Sequence, residues 1–532
     1  MPSIPDAAPR PSPARGIEPP ALAALAIVVL LAATRLAEPF AWDQAMFMLG
    51  ARVLHHGGVL YRDYWDPKQP GLFAFYWLAG ALFGFDETGL HTLELIVMAL
   101  FALLLLLGLR ARLRPPWALA AAPLLTVGWY FAVCTDWHLS QIEGLAGLPL
   151  WLALWCATRG AERERGGTAW WLAAGIAGGA ALALKLLLAP VVIAVGLVPL
   201  AALARRSGGG ARAGTAVVAA AIGIVIPLAL MVGYFAAHGA LPLALWTNLS
   251  FPTELMQRSH GFRFGPFIGG LGWFARTWAP MLPFAAFGAW SALRPRFEPL
   301  WAGLVAWFGA GVLVILIQKL SYWEYQYLLL SVPVGLLAAR GLAVLAPALG
   351  DLVPSWPRRE RVAMLAVAAA LLFVPPLVPT AARLVTLVHH RLGLTAQERR
   401  AYQDRVSHGG GYPKIAEDLA RSPLGAPHAN TGPVWVLGNP LYYWLSGRDQ
   451  AVARNGASFI EFMTREQWVA LTADLARAHP AYILVHRDYE AMLGPQHPET
   501  APFVTWLGAD YGVVGHDERC TWYAPRVVVA GR

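Results

Sequence analysis

Long apolar runs separated by short basic clusters dominate the chain up to residue 383. Runs such as 21–36, 95–109, 217–232 and 362–374 carry almost no charge. A hydrocarbon layer about 30 Å thick needs roughly 20 such residues in a helix, the structure that satisfies its own backbone hydrogen bonds there. The pattern therefore predicts a polytopic α-helical membrane protein.

Arginine clusters predict the orientation of the chain, because short cytoplasmic loops of membrane proteins are rich in Lys and Arg. Between two such clusters the chain must cross the membrane an even number of times. This rule makes 71–85 a helix in the outer interface rather than a span. It also divides 169–204, which would be roughly 54 Å long as one helix, into two helices that meet near Lys185. The clusters are Arg10/Arg15, Arg110/Arg112/Arg114, Arg159/Arg163/Arg165, Arg205/Arg206/Arg212, Arg294/Arg296, and Arg340 with Arg358/Arg359/Arg361.

The same rule predicts about eleven transmembrane helices with a cytoplasmic N-terminus. Residues 1–20, rich in Pro and Ala, are expected to form a flexible cytoplasmic tail, and 21–383 the membrane domain, with a large first outer loop at 38–88. An odd number of spans places the C-terminus outside the cytoplasm. The spans are expected near 21–37, 89–109, 115–133, 139–158, 169–184, 186–204, 214–236, 277–293, 299–317, 325–346 and 362–381.

From residue 384 onward the composition becomes that of a soluble domain. Segments 434–437 and 482–486 have the pattern of short buried strands. Between them, 465–478 has apolar residues at helical spacing, namely Trp468, Leu471 and Leu475. We therefore expect 384–532 to form a small extracytoplasmic α/β domain.

The amino-acid composition argues against several classes of protein. Hydrophobic residues make up 57% of the 532 residues and charged residues 14%, against about 25% charged in soluble proteins. The net charge of +9 does not indicate nucleic-acid binding, because the basic residues lie between apolar runs and not in a stripe with interleaved aromatics. Three cysteines are too few and too scattered for a disulfide framework or a metal site.

Ionisable residues near the spans indicate where chemistry takes place, since burying charge in a membrane is costly. They gather near the predicted outer ends of the helices, and few fall at mid-membrane. Transporters hold substrate near the midplane, often between inverted repeats, and no repeat is visible. A site beside the outer lipid headgroups fits this pattern better. The residues concerned are Arg35, Glu38, Glu94, Asp136, Glu143, Lys185, Lys319 and Glu324.

The first outer loop carries the most specific pattern. Asp43 and Gln44 follow the first span, and then comes a helix that is able to lie flat on the membrane. A polar stretch at 61–70 includes Lys68, and the apolar stretch 71–85 follows. The apolar face of the flat helix consists of Met46, Leu49, Gly50 and Val53.

In these features the sequence resembles the GT-C superfamily of integral membrane glycosyltransferases. It is most similar to the branch with protein O-mannosyltransferases and lipid A aminoarabinose transferases. The glycine-rich helix ending at Lys185 and the aromatic stretch 322–327 agree with that branch. Two positions depart from it. Gln44 replaces the second residue of an acidic pair, and Gln69 replaces the first proline of a Lys-Pro-Pro stretch.

The resemblance implies a GT-C fold and an inverting glycosyltransferase that moves a hexose or pentose. The donor would be a polyprenyl-phosphate sugar and the acceptor a lipid, a glycan or a protein of the cell envelope. The reaction would take place on the outer face of a bacterial cytoplasmic membrane. Two alternatives remain open: a transporter or flippase of lipid-linked sugars, and an inactive relative, for which the departures at Gln44 and Gln69 are the warning.

The resemblance makes Asp43 the candidate general base, because the acceptor hydroxyl must lose its proton during attack on the sugar. The leaving lipid phosphate needs cations to hold it. Candidate cations on the outer side are Lys68, Lys185, Arg258, Arg263 and Lys319. Candidates for substrate contact or support are Asp63, Tyr64, Trp65, Asp66, Asp136, His138 and Glu143.

Each candidate also has a structural explanation. Asp43 is a good helix cap, Asp63 and Asp66 suit a turn before Pro67, and Lys185 suits snorkelling to the surface. Arg258 and Arg263 fit surface charges, and Tyr64 and Trp65 fit either sugar stacking or an interface belt. Asp136, His138 and Glu143 fit either a divalent metal or a solvated loop. No cofactor is required by the sequence.

Overall fold

The computed structural model describes residues 18–258, 261–293, 298–319, 321–352, 358–425, 430–516 and 518–526. Most of the predicted tail at 1–20 lies outside these residues, as do the basic positions Arg10, Arg15, Arg294 and Arg296.

The described part of 18–389 is mostly helical, as the apolar runs predict. Short 3₁₀ or π turns join some neighbouring helices, for example at Leu124–Gly128 and Glu324–Leu330. The helices are α1 (Pro19–Ala33), α2 (Trp42–His55), α3 (Pro70–Phe83), α4 (Glu87–Leu109), α5 (Pro116–Pro123), α6 (Trp129–Val133), α7 (Ile142–Leu145), α8 (Gly147–Glu162), α9 (Gly167–Leu184), α10 (Ala189–Ala204), α11 (Gly209–Ala237), α12 (Leu241–Leu245), α13 (Phe251–Arg258), α14 (Phe264–Thr277), α15 (Leu282–Ala292), α16 (Pro299–Gln318), α17 (Ser331–Leu352) and α18 (Arg358–His389).

Among the described residues, eight helical segments are long and apolar enough to cross a membrane. Three other predicted spans, near 21–37, 139–158 and 277–293, coincide with the shorter helices α1, α8 and α15. The membrane character is confirmed, while the number of about eleven spans stays a prediction. The eight segments are Glu87–Leu109, Pro116–Val133, Gly167–Leu184, Leu186–Ala204, Gly209–Ala237, Pro299–Gln318, Glu324–Leu345 and Ala370–His389.

The predicted division of 169–204 is confirmed at the expected residue. Helix α9 ends at Leu184, Lys185 has an extended backbone (φ −162°), and a new helical segment begins at Leu186. Helix α9 also packs very closely on α11, because a Cβ on Gly175 would lie 2.1 Å from the carbonyl oxygen of Ala220. Small residues allow such close contact between membrane helices, and this contact fixes the position of Lys185.

The predicted flat helix is present as α2, but its surroundings differ from the prediction. All residues from Gln44 to Ala51 are buried. Helix α3 packs on one side, and a helix of the C-terminal domain, α21 (Leu441–Ser446), packs on another. A helix that is covered all round cannot rest on a lipid surface with one face, so the interpretation that α2 lies flat on the membrane is wrong.

The C-terminal part is a small α/β domain, as predicted. Its sheet has the order β1-β2-β4-β3, with β1 parallel to β2 and the other pairs antiparallel. Both predicted strands and the predicted helix α22 are confirmed. Strands β3 and β4 were not predicted from the sequence. The elements are α19 (Ala396–Val406), α20 (Gly411–Arg421), β1 (Val434–Leu437), α21 (Leu441–Ser446), α22 (Arg465–Ala478), β2 (Tyr482–His486), α23 (Arg487–Glu490), α24 (Ala501–Asp510), β3 (Tyr511–His516) and β4 (Cys520–Pro525).

The C-terminal domain packs against one end of the helix bundle, which we call the domain-facing end. Glu87, at the start of α4, accepts hydrogen bonds from the hydroxyl of Tyr412 (2.6 Å) and the indole of Trp444 (2.9 Å). The guanidinium of Arg52 lies 4.1 Å from the ring centre of Trp444. This end of the bundle also contains the candidate residues described next.

Candidate active site

Five segments bring charged and amide side chains together at the domain-facing end. They are the start of α2, the loop before α3, the start of α7 with the residue before it, the end of α9, and the end of α16 with the turn that follows it. We call this group the charged site; it consists of Asp43, Lys68, Gln141, Glu143, Lys185, Gln318 and Tyr325.

Asp43 lies in the first turn of α2, where the helix dipole favours a negative charge. The side chain of Gln141 donates to its carboxylate at 3.4 Å, and the Tyr325 hydroxyl also hydrogen-bonds to it. Burial raises the pKa of Asp43 above its usual range. The nearby Lys68 charge opposes this shift and the Asp66 charge adds to it. The carboxyl group of Asp43 therefore binds a proton more tightly than an exposed aspartate does.

The helix-capping explanation for Asp43 does not hold. The N-cap residue of α2 is Ala41. Its backbone N–H donates to the side-chain oxygen of Gln44 at 2.6 Å, and not to Asp43. The side-chain amide of Gln44 donates to the backbone carbonyls of Asp136 (2.5 Å) and Leu139 (2.8 Å). Gln44, which replaces an acidic residue of the resembled family, thus ties α2 to the loop before α7.

Gln44→Glu should destabilise the protein. A carboxylate cannot donate to the two carbonyl oxygens, and it would be buried against them. We expect a loss of about 3 kcal/mol or more, measured as a lower thermal midpoint of the purified protein in detergent. The control is Gln69→Glu, which adds the same charge at the half-buried start of α3, where the side chain makes no capping bond. Equal midpoints for the two variants would contradict the assigned role of Gln44.

Lys68 belongs to a loop held in place by polar contacts. Its backbone N–H donates to the carboxylate of Asp66 (2.9 Å), and its carbonyl accepts from the Tyr61 hydroxyl (2.8 Å). The Lys68 ammonium lies 5.6 Å from the ring centres of both Phe47 and Phe459. Burial lowers its pKa, but Asp66, Asp43 and Glu143 outweigh this, so the pKa is raised and Lys68 is held as a cation.

Lys185 points into the protein and does not snorkel to lipid. Its ammonium donates to Glu143 (2.6 Å) and Gln318 (2.8 Å), and its side chain is 16% exposed. Glu143 is buried and also interacts with the charge of Lys68. Glu143 therefore links the two lysines, which share one site.

Buried Glu94 organises the loop that carries Gln141 and leads into α7, where Glu143 lies. It accepts bonds from the backbone N–H of Ser140 (2.8 Å), from the Ser140 hydroxyl (2.9 Å) and from the Tyr130 hydroxyl (2.6 Å). Ser140 has a left-handed backbone (φ 53°), which these bonds compensate. Glu94 thus positions catalytic candidates without touching them.

The residues at 63–66 mainly support the Lys68 loop. Asp63 is exposed, pairs with Arg62 (2.9 Å) and accepts from the backbone of Val59 (2.7 Å), which fits its explanation as a turn residue. The Arg62 side chain lowers the pKa of Asp63. Tyr64 and Trp65 are buried, so protein covers the rings proposed for sugar stacking.

Three of the proposed phosphate-binding cations lie on the surface. Arg258 pairs with Glu254 (3.4 Å) and donates to the carbonyl of Phe462 (3.1 Å). Arg263 and Lys319 are exposed. Of the five predicted cations, only Lys68 and Lys185 belong to the charged site.

Asp136 and His138 do not form a common site with Glu143. The Asp136 carboxylate accepts from the backbone N–H of His408 in the C-terminal domain (2.6 Å), and burial raises its pKa to about 7. The ring of His138 stacks on Trp273 and faces Glu324 at 3.4 Å. Among the residues that the structure describes, no three His, Cys, Asp or Glu side chains form a group that could hold a metal ion.

Sequence reasoning missed several members of the site. Gln141 and Gln318 were not predicted, and Tyr325 appeared only as part of an aromatic stretch. One signal was available: Gln318 is polar at the end of an apolar helix, next to Lys319. Gln141 has no comparable signal, since its role depends on the turn at Ser140.

The chain matches a family model over part of its sequence and aligns with solved structures over most of its length. Residues 67–231 match the family model described as dolichyl-phosphate-mannose-protein mannosyltransferase. The structure of ArnT from Cupriavidus metallidurans bound to undecaprenyl phosphate aligns with a TM-score of 0.54 and 15% identity, covering 95% of this chain and 97% of ArnT. ArnT in the apo state gives 0.52 and 17%, covering 94% and 96%. No curated protein sequence matches significantly.

Proposed function

We propose that this chain, which has the fold of the GT-C glycosyltransferases, transfers a sugar from a polyprenyl-phosphate donor to an acceptor of the cell envelope. The observation that carries the proposal is the meeting of a half-buried carboxylate, Asp43, with the lysines Lys68 and Lys185 in one site. ArnT, which shares the fold, binds undecaprenyl phosphate. The sugar is a hexose or a pentose, and the acceptor is a lipid, a glycan or a protein.

Asp43 acts as the general base in this proposal. The acceptor hydroxyl attacks the anomeric carbon, its proton passes to the Asp43 carboxylate, and the bond from that carbon to the phosphate oxygen breaks. A base works best when its pKa approaches the working pH, and burial moves the pKa of Asp43 in that direction. One base and a single displacement invert the anomeric centre.

The leaving polyprenyl phosphate is already a stable anion, so it needs cations rather than a proton donor. Lys68 is held as a cation beside Asp43 and makes the principal contact with the phosphate. Lys185 adds a second positive charge but shares it with Glu143. Arg258, Arg263 and Lys319, which are exposed, reach the donor only if their segments move.

The pH dependence of transfer should reflect the environment of Asp43. The base must be ionised, so the rate should rise with pH through a pKa above the usual aspartate range. Lys68→Met should move this rise to higher pH, because the Lys68 charge lowers the pKa of Asp43. Asp66→Asn should move it to lower pH, because the Asp66 charge raises that pKa. Rate profiles of the three proteins test this order, and identical profiles would exclude Asp43 as the titrating group.

The site should face away from the cytoplasm. The arginine clusters require an odd number of spans, which places the C-terminal domain, and the charged site beside it, outside. A reporter that fluoresces only in the cytoplasm, fused after Arg532, should stay dark, while a fusion to the N-terminus should be bright. A bright C-terminal fusion would overturn this orientation.

The proposed function is tested by mass spectrometry of envelope lipids and glycans with and without the gene. Its loss should remove one sugar modification and cause the polyprenyl-phosphate sugar to accumulate. A transporter of lipid-linked sugars predicts a different result, in which the lipid-linked sugar stays on the cytoplasmic leaflet and purified protein forms no new glycosidic bond. Unchanged envelope glycans would contradict both functions.

A further inference from the structure

A segment of the C-terminal domain, 453–459, is fixed firmly to the central sheet. The indole of Trp435 on β1 donates to the carbonyl of Arg454 (3.0 Å), and Gly438 N–H donates to the carbonyl of Gly456 (3.1 Å). A Cβ on Gly456 would lie 2.3 Å from the carbonyl oxygen of Val436. The segment therefore moves with the sheet and is not a loose loop.

The same segment is joined to the loop that carries Lys68. The backbone N–H of Trp65 donates to the carbonyl of Ala453 (2.8 Å), and the Arg454 guanidinium lies 3.8 Å from the ring centre of Trp65. The Ser458 hydroxyl donates to the buried carboxylate of Asp66. The other oxygen of Asp66 accepts from the backbone of Lys68 (2.9 Å). A continuous chain of bonds thus runs from the C-terminal domain to Lys68.

Phe459 completes this contact in a strained backbone conformation. Its φ of 52° lies in the left-handed region, which bulky residues rarely adopt. The side chain of Asn455 supports the turn by accepting from the backbone N–H groups of Ala457 (2.9 Å) and Ser458 (2.8 Å). Phe459 presents its ring to the Lys68 ammonium at 5.6 Å, a distance at which a cation and an aromatic ring attract each other. Such strain in a chain is retained mainly at functional sites.

We infer that the C-terminal domain completes the phosphate site, with Ser458 and Phe459 as positioning residues that hold the Lys68 ammonium in place for the donor. This inference rests on the proposed function, in which Lys68 binds the donor phosphate. It gives the domain a direct part in donor binding, so the membrane helices alone form an incomplete site.

The test compares variants of the full-length purified protein by two measurements. The first is the rate at which an amine-reactive acylating reagent modifies Lys68, read by mass spectrometry, with the exposed Lys414 of α20 in the same molecule as internal reference. The second is the affinity for undecaprenyl phosphate as the probe. Phe459→Gly removes the ring and relieves the strain of the left-handed backbone. Phe459→Tyr keeps a ring, and Phe462→Leu removes a neighbouring ring, centred 6.4 Å from that of Phe459, that does not contact Lys68.

In Phe459→Gly we expect Lys68 to be acylated at least about threefold faster, and the probe to bind about three- to thirtyfold more weakly. The reactivity of Lys414 should not change, and Phe459→Tyr and Phe462→Leu should behave as the wild type. Unchanged Lys68 reactivity and probe affinity in Phe459→Gly would overturn the inference. Equal probe binding by the wild type and Lys68→Met would overturn the proposed phosphate role instead, while the acylation rates would still decide whether Phe459 positions Lys68.

Discussion

Asp43→Asn should reduce sugar transfer by about a hundred- to ten-thousandfold, the usual cost of losing a general base. Asn keeps the size of the side chain and still accepts a hydrogen bond from Gln141 or Tyr325, but it cannot take up a proton. Because Gln44 provides the cap of α2, the exchange should leave the thermal midpoint close to that of the wild type. Transfer is measured with purified protein as the rate of polyprenyl phosphate release.

The matched control is Asp63→Asn, which removes a carboxylate from the same loop region at an exposed ion pair with Arg62. This variant should transfer sugar at the wild-type rate. If Asp43→Asn retains most of its activity while Asp63→Asn behaves as expected, the base is another carboxylate. Glu143, the remaining acid of the charged site, would be the next to test.

Lys68→Met should weaken donor binding by about ten- to a hundredfold, the range for losing one charged hydrogen bond. Methionine keeps the apolar stem between Phe47 and Phe459, while Asp66 retains its bonds to Ser458 and to the backbone of residue 68. The variant should therefore fold normally. Binding of undecaprenyl phosphate to the purified protein is the measurement, and an unchanged affinity would remove Lys68 from the phosphate site.

Lys185 needs a different design, because its removal leaves the buried Glu143 without its cationic partner. Breaking a buried ion pair from one side costs about 3–5 kcal/mol, so Lys185→Met should lower the thermal midpoint as well as activity. The double variant Lys185→Met/Glu143→Gln removes both charges and should restore the midpoint. Comparing the donor affinity of the double variant with that of Glu143→Gln alone then isolates the contribution of the Lys185 charge. If the double variant is as unstable as the single one, the Lys185–Glu143 bond does not stabilise the fold.

The sequence predicted those parts of the fold that depend on local pattern. The helix break at Lys185 followed from apolar length and flanking arginines, and the strands at 434–437 and 482–486 from short buried runs. Strand β3 was missed because Gly512 and Gly515 interrupt its pattern and only its first residue is buried. The exposure of α2 was mispredicted, because the amphipathic pattern of a helix does not show whether a domain distant in sequence covers its polar face.

The candidate site residues were predicted on two grounds. Glu143 and Lys185 stood out because charge near the ends of apolar helices is unusual, whereas Asp43 and Lys68 were singled out by the resemblance of the first outer loop to the GT-C family. Gln44 looked like a lost catalytic acid, yet its side-chain N–H groups donate to two backbone carbonyl oxygens, which a carboxylate cannot do. Phe459 lies more than 300 residues from Lys68 along the chain, and nothing in its local sequence indicates that the two meet.

The most direct test of sugar transfer uses envelope lipids from a strain that lacks the gene, because these should contain both the accumulated donor and the unmodified acceptor. Purified wild-type protein added to this extract should release polyprenyl phosphate and form a glycosylated acceptor in equal amounts, as measured by mass spectrometry. Protein with Asp43→Asn should form neither within the same time. If both proteins leave the extract unchanged, or both convert it equally well, the proposed glycosyl transfer at Asp43 is contradicted.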